Sequence, residues 1–245
     1  MEASSLSSNY LIIQQPYIMY FSIMYYLITI FLFSLVKDDY DLNFRNIKEL
    51  LFCHNVISIL SSIYIFTGIL YEVTTNNYYI IGNDLIENHS NLTHYIWIFH
   101  LTKYYEFMDT LIMILRRSFR QITFLHVYHH VSVVIYTWLV LYNHPGGDYY
   151  LGSLLNSWVH MWMYVYYLMA SMLSKENRKK YLWWSRYLTK MQIIQFVINS
   201  FHCIYAMNYS EIQTPLYKIG LFHQFTFLLL FGNFYFKKYK SIKEQ

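Results

Sequence analysis

The fold class the sequence predicts is an all-α integral membrane protein with seven transmembrane helices, on three observations. Charged residues make up 13% of the 245-residue chain and hydrophobic ones 56%, whereas a soluble domain carries about a quarter charged residues. Seven apolar segments follow one another, each near the ~20 residues a helix needs to cross a bilayer. The connections between them alternate in charge. Tyrosine, with 28 copies, suits membrane interfaces because its ring is apolar and its hydroxyl polar. No P-loop, GxGxxG or EF-hand pattern is present. The two cysteines, Cys53 and Cys203, sit in apolar segments without a CxxC, so they read as small buried hydrophobes.

Residues 1–16 carry one acid and no Lys or Arg, which argues against a cleavable signal peptide with a basic start. The apolar segments then run 17–36, 50–71, 95–115, 122–143, 150–173, 187–207 and 216–236. Connections 37–49, 116–121 and 174–186, with the tail 237–245, hold fifteen of the eighteen Lys and Arg residues. The alternate set, 1–16, 72–94, 144–149 and 208–215, holds none. The positive-inside rule makes the first set cytoplasmic, so the N-terminus is lumenal or extracellular and the C-terminus cytoplasmic. The sequons beginning at Asn88, Asn91 and Asn208 all fall on the lumenal side of that scheme. The net charge of +4 therefore reflects orientation and not a nucleic-acid partner.

Four segments place polar groups towards the same cytoplasmic half. In 95–115, Lys103, Glu106, Asp109 and Thr110 recur at i, i+3, i+6 and i+7, one drifting helical stripe. In 122–143, His126, His129 and His130 are three of eleven histidines within five residues, and their spacing puts them on one face. In 150–173 come Asn156, His160, Tyr164 and Tyr166; in 187–207, Thr189, Gln192 and Gln195. A single Gln or Thr stripe reads as an interhelical hydrogen-bond ladder. Charged and histidine triplets at one depth point instead to function.

These residues also carry a resemblance. Lys103-Tyr-Tyr-Glu106-Phe-Met-Asp109-Thr110 resembles the KxxExxDT motif of the ELO family of very-long-chain fatty acid elongases, and His126 to His130 its HxxHH box. Asn156-Ser157 through Tyr166-Tyr167 resembles its NSxxHxxMYxYY motif, and Thr189 to Phe196 its TxxQxxQF motif. The resemblance implies one seven-helix domain over 1–245, resident in the endoplasmic reticulum membrane. It implies an acyltransferase that condenses an acyl-CoA with malonyl-CoA to a 3-oxoacyl-CoA, CO2 and CoA, without a further cofactor or metal. A long acyl tail calls for a narrow apolar tunnel open to the cytosol.

The resemblance further implies that His129 becomes acylated, with His160 and Asn156 polarising a substrate carbonyl or assisting decarboxylation. His126 and His130 would hydrogen-bond the thioester or set a tautomer, and Asp109 and Glu106 would orient the imidazoles. Lys103 would balance the acids or contact substrate. Arg116, Gln121, Arg186 and Lys237 are expected at the CoA end, where basic groups meet phosphates. Tyr164, Tyr166, Thr189 and Gln192 are expected along the substrate path. Partner expectations are the bilayer, the reductases and dehydratase of the elongation cycle, and a second copy of the chain. Two other classes compete. Di-iron desaturases and hydroxylases use HxxHH boxes but need about three of them, and this chain has one. A seven-helix transporter would use such a stripe as a proton relay, whereas a receptor has no need of it.

Overall fold

The computed structural model describes residues 3–35, 46–83, 90–209 and 215–240. Within them lie ten α-helices. They are α1 (Leu11–Gln14), α2 (Tyr17–Leu35), α3 (Ile47–Thr75), α4 (Ser90–Tyr105), α5 (Phe107–Leu115), α6 (Phe124–Asn143), α7 (Tyr150–Met172), α8 (Lys175–Tyr181), α9 (Ser185–Tyr209) and α10 (Pro215–Lys240). Single 3-10 turns, Phe119–Gln121 and Gly147–Tyr149, lead into α6 and α7. Among the described residues there is no strand. Lys37, Arg45, Lys243, Asn88 and Ser210, used above for orientation and sequons, lie outside the described residues.

Tyr17–Leu35, Ile47–Thr75, Phe124–Asn143 and Pro215–Tyr239 are long and apolar enough to cross a membrane. Segments 150–173 and 187–207 form α7 and α9, of 23 and 25 residues, but both are less apolar. They carry Asn156, His160, Thr189, Gln192 and Gln195, and those polar groups dilute the hydrophobic signal. Segment 95–115 departs from the expected single helix and divides into α4 and α5. At Glu106 the backbone tightens, with Asp109 N donating to Glu106 O at 3.0 Å. The acid's side chain is drawn to Lys103, one turn back, at 2.6 Å.

Burial follows helical spacing. On α2, Met19, Ile23 and Tyr26 are buried, whereas Phe21, Tyr25 and Phe31 are exposed, as expected for a helix with an apolar surround. On α3 the buried face is a polar stripe, His54, Ser58 and Ser62, which continues into Ile65 and Ile69. Gly68 lies on the same helix where the Tyr95 ring occupies the space a Cβ would take, so α3 and α4 approach closely there.

Neighbour relations close into a ring: α3 against α4, α4 against α6, α6 against α10, α10 against α9, α9 against α7, and α7 back along α3. α2 packs outside this ring against α5 and α6. The two ends of the ring are finished differently. At one end Thr123 caps α6 by accepting from His126 N at 3.3 Å, which places the histidine box in the first turns. At the other end Asp148, almost fully buried, accepts from Gly82 N at 3.0 Å, Asn83 N at 2.8 Å and Asn83 Nδ2 at 2.7 Å. That clasp ties the segment after α3 to the turn before α7. Beside it Thr93, the hydroxyl residue of the Asn91 sequon, is buried and donates to Pro145 O at 2.9 Å.

Candidate active site

Within the ring a cavity runs along α6 from His129 to Val140. α4 contributes Ile96 and Phe99, α7 Asn156, α9 Gln195 and Asn199, and α10 His223 and Phe227. Its lining is predominantly apolar. Imidazoles and amides interrupt the rings and aliphatic groups, because α7, α9 and α10 each turn a polar stripe inwards.

The box histidines have three different surroundings, although one helix carries them all. His126 Nε2 is 2.7 Å from Thr110 Oγ1, and Thr110 Oγ1 is 3.0 Å from the Tyr26 hydroxyl, so α2, α5 and α6 share one short polar chain. His130 is buried beside the stacked Tyr26 and Phe107 rings, both 6.2 Å away, and lies edge-on to His126 at 4.5 Å. His129 faces the cavity. Its ring stacks with His160 at 6.4 Å and 26° and touches Phe227 at 5.3 Å and Phe231 at 6.4 Å. Among the described residues, no hydrogen-bond partner reaches its side chain.

Behind His160 lies a compact charged group. Lys103 and Glu106, 3% and 4% exposed, pair at 2.6 Å, and Lys103 Nζ also donates to Asn156 Oδ1 at 3.1 Å. The ammonium sits 4.4 Å from the Phe99 ring centre as well. His160 Nδ1 stands 3.2 Å from the same Glu106 oxygen, but off-axis, so the contact is electrostatic and not an aligned hydrogen bond. Lys103 is thus engaged inside the protein. The Asn156 carbonyl is used by Lys103, which leaves its amide NH2 as the free donor of a cavity-lining residue.

Asp109 takes partners that the sequence reasoning did not assign. One oxygen is 2.9 Å from His54 Nε2, and the other accepts from the Tyr164 hydroxyl at 2.7 Å. The carboxylate therefore joins α5 to α3 and α7 and does not orient the box imidazoles directly. His54, which belongs to none of the four motifs, is buried at 2% exposure within this group. Its signal was the i, i+4, i+8 recurrence of His54, Ser58 and Ser62 in an otherwise apolar segment. His202 and His223, also outside the motifs, line the cavity.

The remaining residues named from sequence lie apart from this centre. Thr189 is buried on α9, and Gln192 Nε2 approaches Met163 Sδ at 3.8 Å. Tyr166 meets the Trp184 ring edge-on at 5.4 Å. Arg116, Gln121, Arg186 and Lys237 are exposed at the box end of the ring, outside the cavity. Among the described residues, no three His, Cys, Asp or Glu side chains converge as a metal-binding group.

Comparison with known proteins follows this geometry. The chain matches the ELO (GNS1/SUR4) family over residues 11–245, a span holding all four motifs. It is 33% identical over 205 residues to very long chain fatty acid elongase 5 of Xenopus tropicalis, covering 79% of this chain and 66% of that protein. It is 37% identical over 151 residues to very long chain fatty acid elongase 2 of Mus musculus, covering 60% and 49%. It is 32% identical over 231 residues to very long chain fatty acid elongase 5 of Mus musculus, covering 90% and 73%. The chain spans roughly half to two thirds of the length of the first relatives it matches. Its apolar helices and these relatives mark it as a multi-pass membrane protein, and the chain belongs to the ELO family.

Proposed function

We propose that this chain is a condensing enzyme of fatty acid elongation, joining a long-chain acyl-CoA with malonyl-CoA to give a 3-oxoacyl-CoA two carbons longer, CO2 and CoA. The observation that carries the reading is the His129–His160 pair, rings 6.4 Å apart, with His129 lining the cavity and the Lys103–Glu106 ion pair behind. A cavity that runs from a reactive pair into the bundle suits a thioester whose tail must be sheltered from water. The four motifs and the elongase relatives support the same reading.

In the first half-reaction an unprotonated His129 nitrogen attacks the thioester carbonyl. The C–S bond breaks, CoA leaves as thiolate, and the imidazole proton passes to it. His129 suits the nucleophile role because no partner occupies its nitrogens, and a free imidazole is an acylation-competent group. In the second half-reaction malonyl-CoA loses CO2, and the electron pair of the broken C–C bond forms an enolate. That carbon attacks the acyl-imidazole, the C–N bond breaks, and the imidazole is reprotonated from the medium. His160 and the Asn156 NH2 group supply the charge stabilisation that the enolate oxygen needs. Glu106 holds His160, and Lys103 holds Glu106.

The reading includes seven crossings of the endoplasmic reticulum membrane, N-terminus lumenal, with α4 and α5 acting as one span. It also places the box end on the cytosolic side, where Arg116, Arg186 and Lys237 meet the CoA phosphates. No cofactor or metal beyond the two thioesters is required. The reductases and dehydratase of the cycle, and a second copy of the chain, are its partners in the membrane. Purified protein in lipid nanodiscs, given a saturated long-chain acyl-CoA and carbon-labelled malonyl-CoA, should produce labelled 3-oxoacyl-CoA and an equal amount of labelled CO2. Absence of labelled product, with an active elongase positive under the same conditions, would refute the reading.

A further inference from the structure

The middle of the cavity is built from groups that a plain hydrocarbon chain cannot satisfy. From His129 the lining continues to Phe227, 5.3 Å away, and from Phe227 to His223, whose ring is 4.3 Å further. His223 is held in place: Nε2 is 3.1 Å from Ser132 Oγ, and the ring stacks on Tyr136 at 5.0 Å. Tyr136 lies seven residues beyond His129 on α6, a rise of about 10 Å. At this level His223 and Gln224 are 7% and 8% exposed. His223 Nδ1 and Gln224 Oε1 have no partner, and deeper in the cavity His202 Nε2 has none either.

Such groups call for a ligand atom that both donates and accepts. Methylenes do neither, and the π-bond of an olefin accepts weakly but donates nothing, so the Gln224 carbonyl stays unpaired against either. A hydroxyl answers both needs, and does so whichever way the Gln224 amide is turned. A chain that brings its own hydroxyl pairs these groups, and a plain chain leaves them bare.

We propose that this part of the cavity is a subsite for an in-chain hydroxyl, so that the acyl substrates include chains hydroxylated about 10 Å from the thioester. The identity of the bound chain as an acyl-CoA rests on the elongase reading above, whereas the polar subsite rests on His223 and Gln224. The test separates the two by measuring binding without turnover. Full-length protein in nanodiscs is titrated with three eighteen-carbon acyl-CoA analogues in which a non-cleavable thioether replaces the thioester, so that His129 cannot be acylated: saturated, hydroxylated in mid-chain, and hydroxylated next to the thioester position. The mid-chain compound should bind about tenfold more tightly than the saturated one, as one or two hydrogen bonds to buried groups give. The compound hydroxylated next to the thioester position should gain nothing. In Gln224→Met, of similar length, the ratio should fall to about one. Equal or weaker binding of the mid-chain compound to the wild-type protein overturns the subsite, and that comparison needs no variant to fold. An unchanged ratio in Gln224→Met overturns it as well. A parallel incubation with the matching acyl-CoA thioesters and labelled malonyl-CoA reads the other claim: a tenfold binding preference with no labelled product refutes elongation and leaves the subsite standing.

Discussion

The two sides of the histidine box differ in how fully their polar groups are used. On the α3 and α5 side, both oxygens of the carboxylate and the outer box imidazole are paired: Asp109 with His54 and Tyr164, and His126 with Thr110 and through it with Tyr26, while His54 Nδ1 and Asn55 Nδ2 are the buried atoms left over. On the cavity side, His129 is ringed by aromatic groups without a hydrogen bond, and Gln224 and His223 hold unpaired atoms. Buried polar groups that are paired fix geometry, and buried groups left unpaired cost stability until something binds. The first side is therefore the frame and the second the working surface. Substitutions should sort accordingly, with frame changes felt in folding and working-surface changes felt in turnover.

The largest effect should fall on the working surface. His129→Ala should reduce product formation by at least roughly a thousandfold, as loss of a covalent nucleophile does, while the thermal unfolding midpoint stays with that of the wild-type protein. A parallel fall in unfolding midpoint would move His129 into the frame. Asp109→Ala should do the reverse in kind. It strands the His54 nitrogen and the Tyr164 hydroxyl in the interior, so unfolding free energy should drop by about 3–5 kcal/mol. Activity should fall with it, and unfolding in mixed micelles would show the loss even where no turnover remains.

Thr110→Val is a smaller test of the same side. It keeps the shape but removes the link between His126 and Tyr26, at a cost of about 1–3 kcal/mol. Restoring a hydroxyl with Thr110→Ser should recover most of that loss. The least effect belongs to the exposed basic rim. Arg186→Gln should raise KM for acyl-CoA about twofold, with kcat unchanged, and the difference should fade in high salt, as interactions at exposed charges do.

Much of the frame was legible in the sequence, and the reasons are specific. Apolar segments of bilayer length correspond to α2, α3, α6, α7, α9 and α10, and Thr123 ahead of the box is an ordinary N-cap signal. The single segment 95–115 was misread because neither Gly nor Pro marks Glu106, where a side-chain ion pair tightens the turn. His54 was passed over because one histidine in an apolar stretch reads as a core residue, and its partner Asp109 lies 55 positions away. The assignment of Asp109 to the box imidazoles failed for a related reason. Spacing along one helix shows which face a carboxylate shares, but not which neighbouring helix is near enough to take it. His223 and Gln224 were invisible as a pair of cavity groups for the same cause, since α6 and α9 must be in place before a cavity exists.

The central claim is that the unpaired imidazole facing the cavity carries the acyl group. Purified protein incubated with a long-chain acyl-CoA alone, digested under mildly acidic conditions and analysed by mass spectrometry, tests it most directly. The account predicts one acyl adduct on the peptide containing His129, absent in His129→Ala and discharged when malonyl-CoA is added. No adduct on His129, with free acyl-CoA depleted and product still formed on later addition of malonyl-CoA, would contradict it.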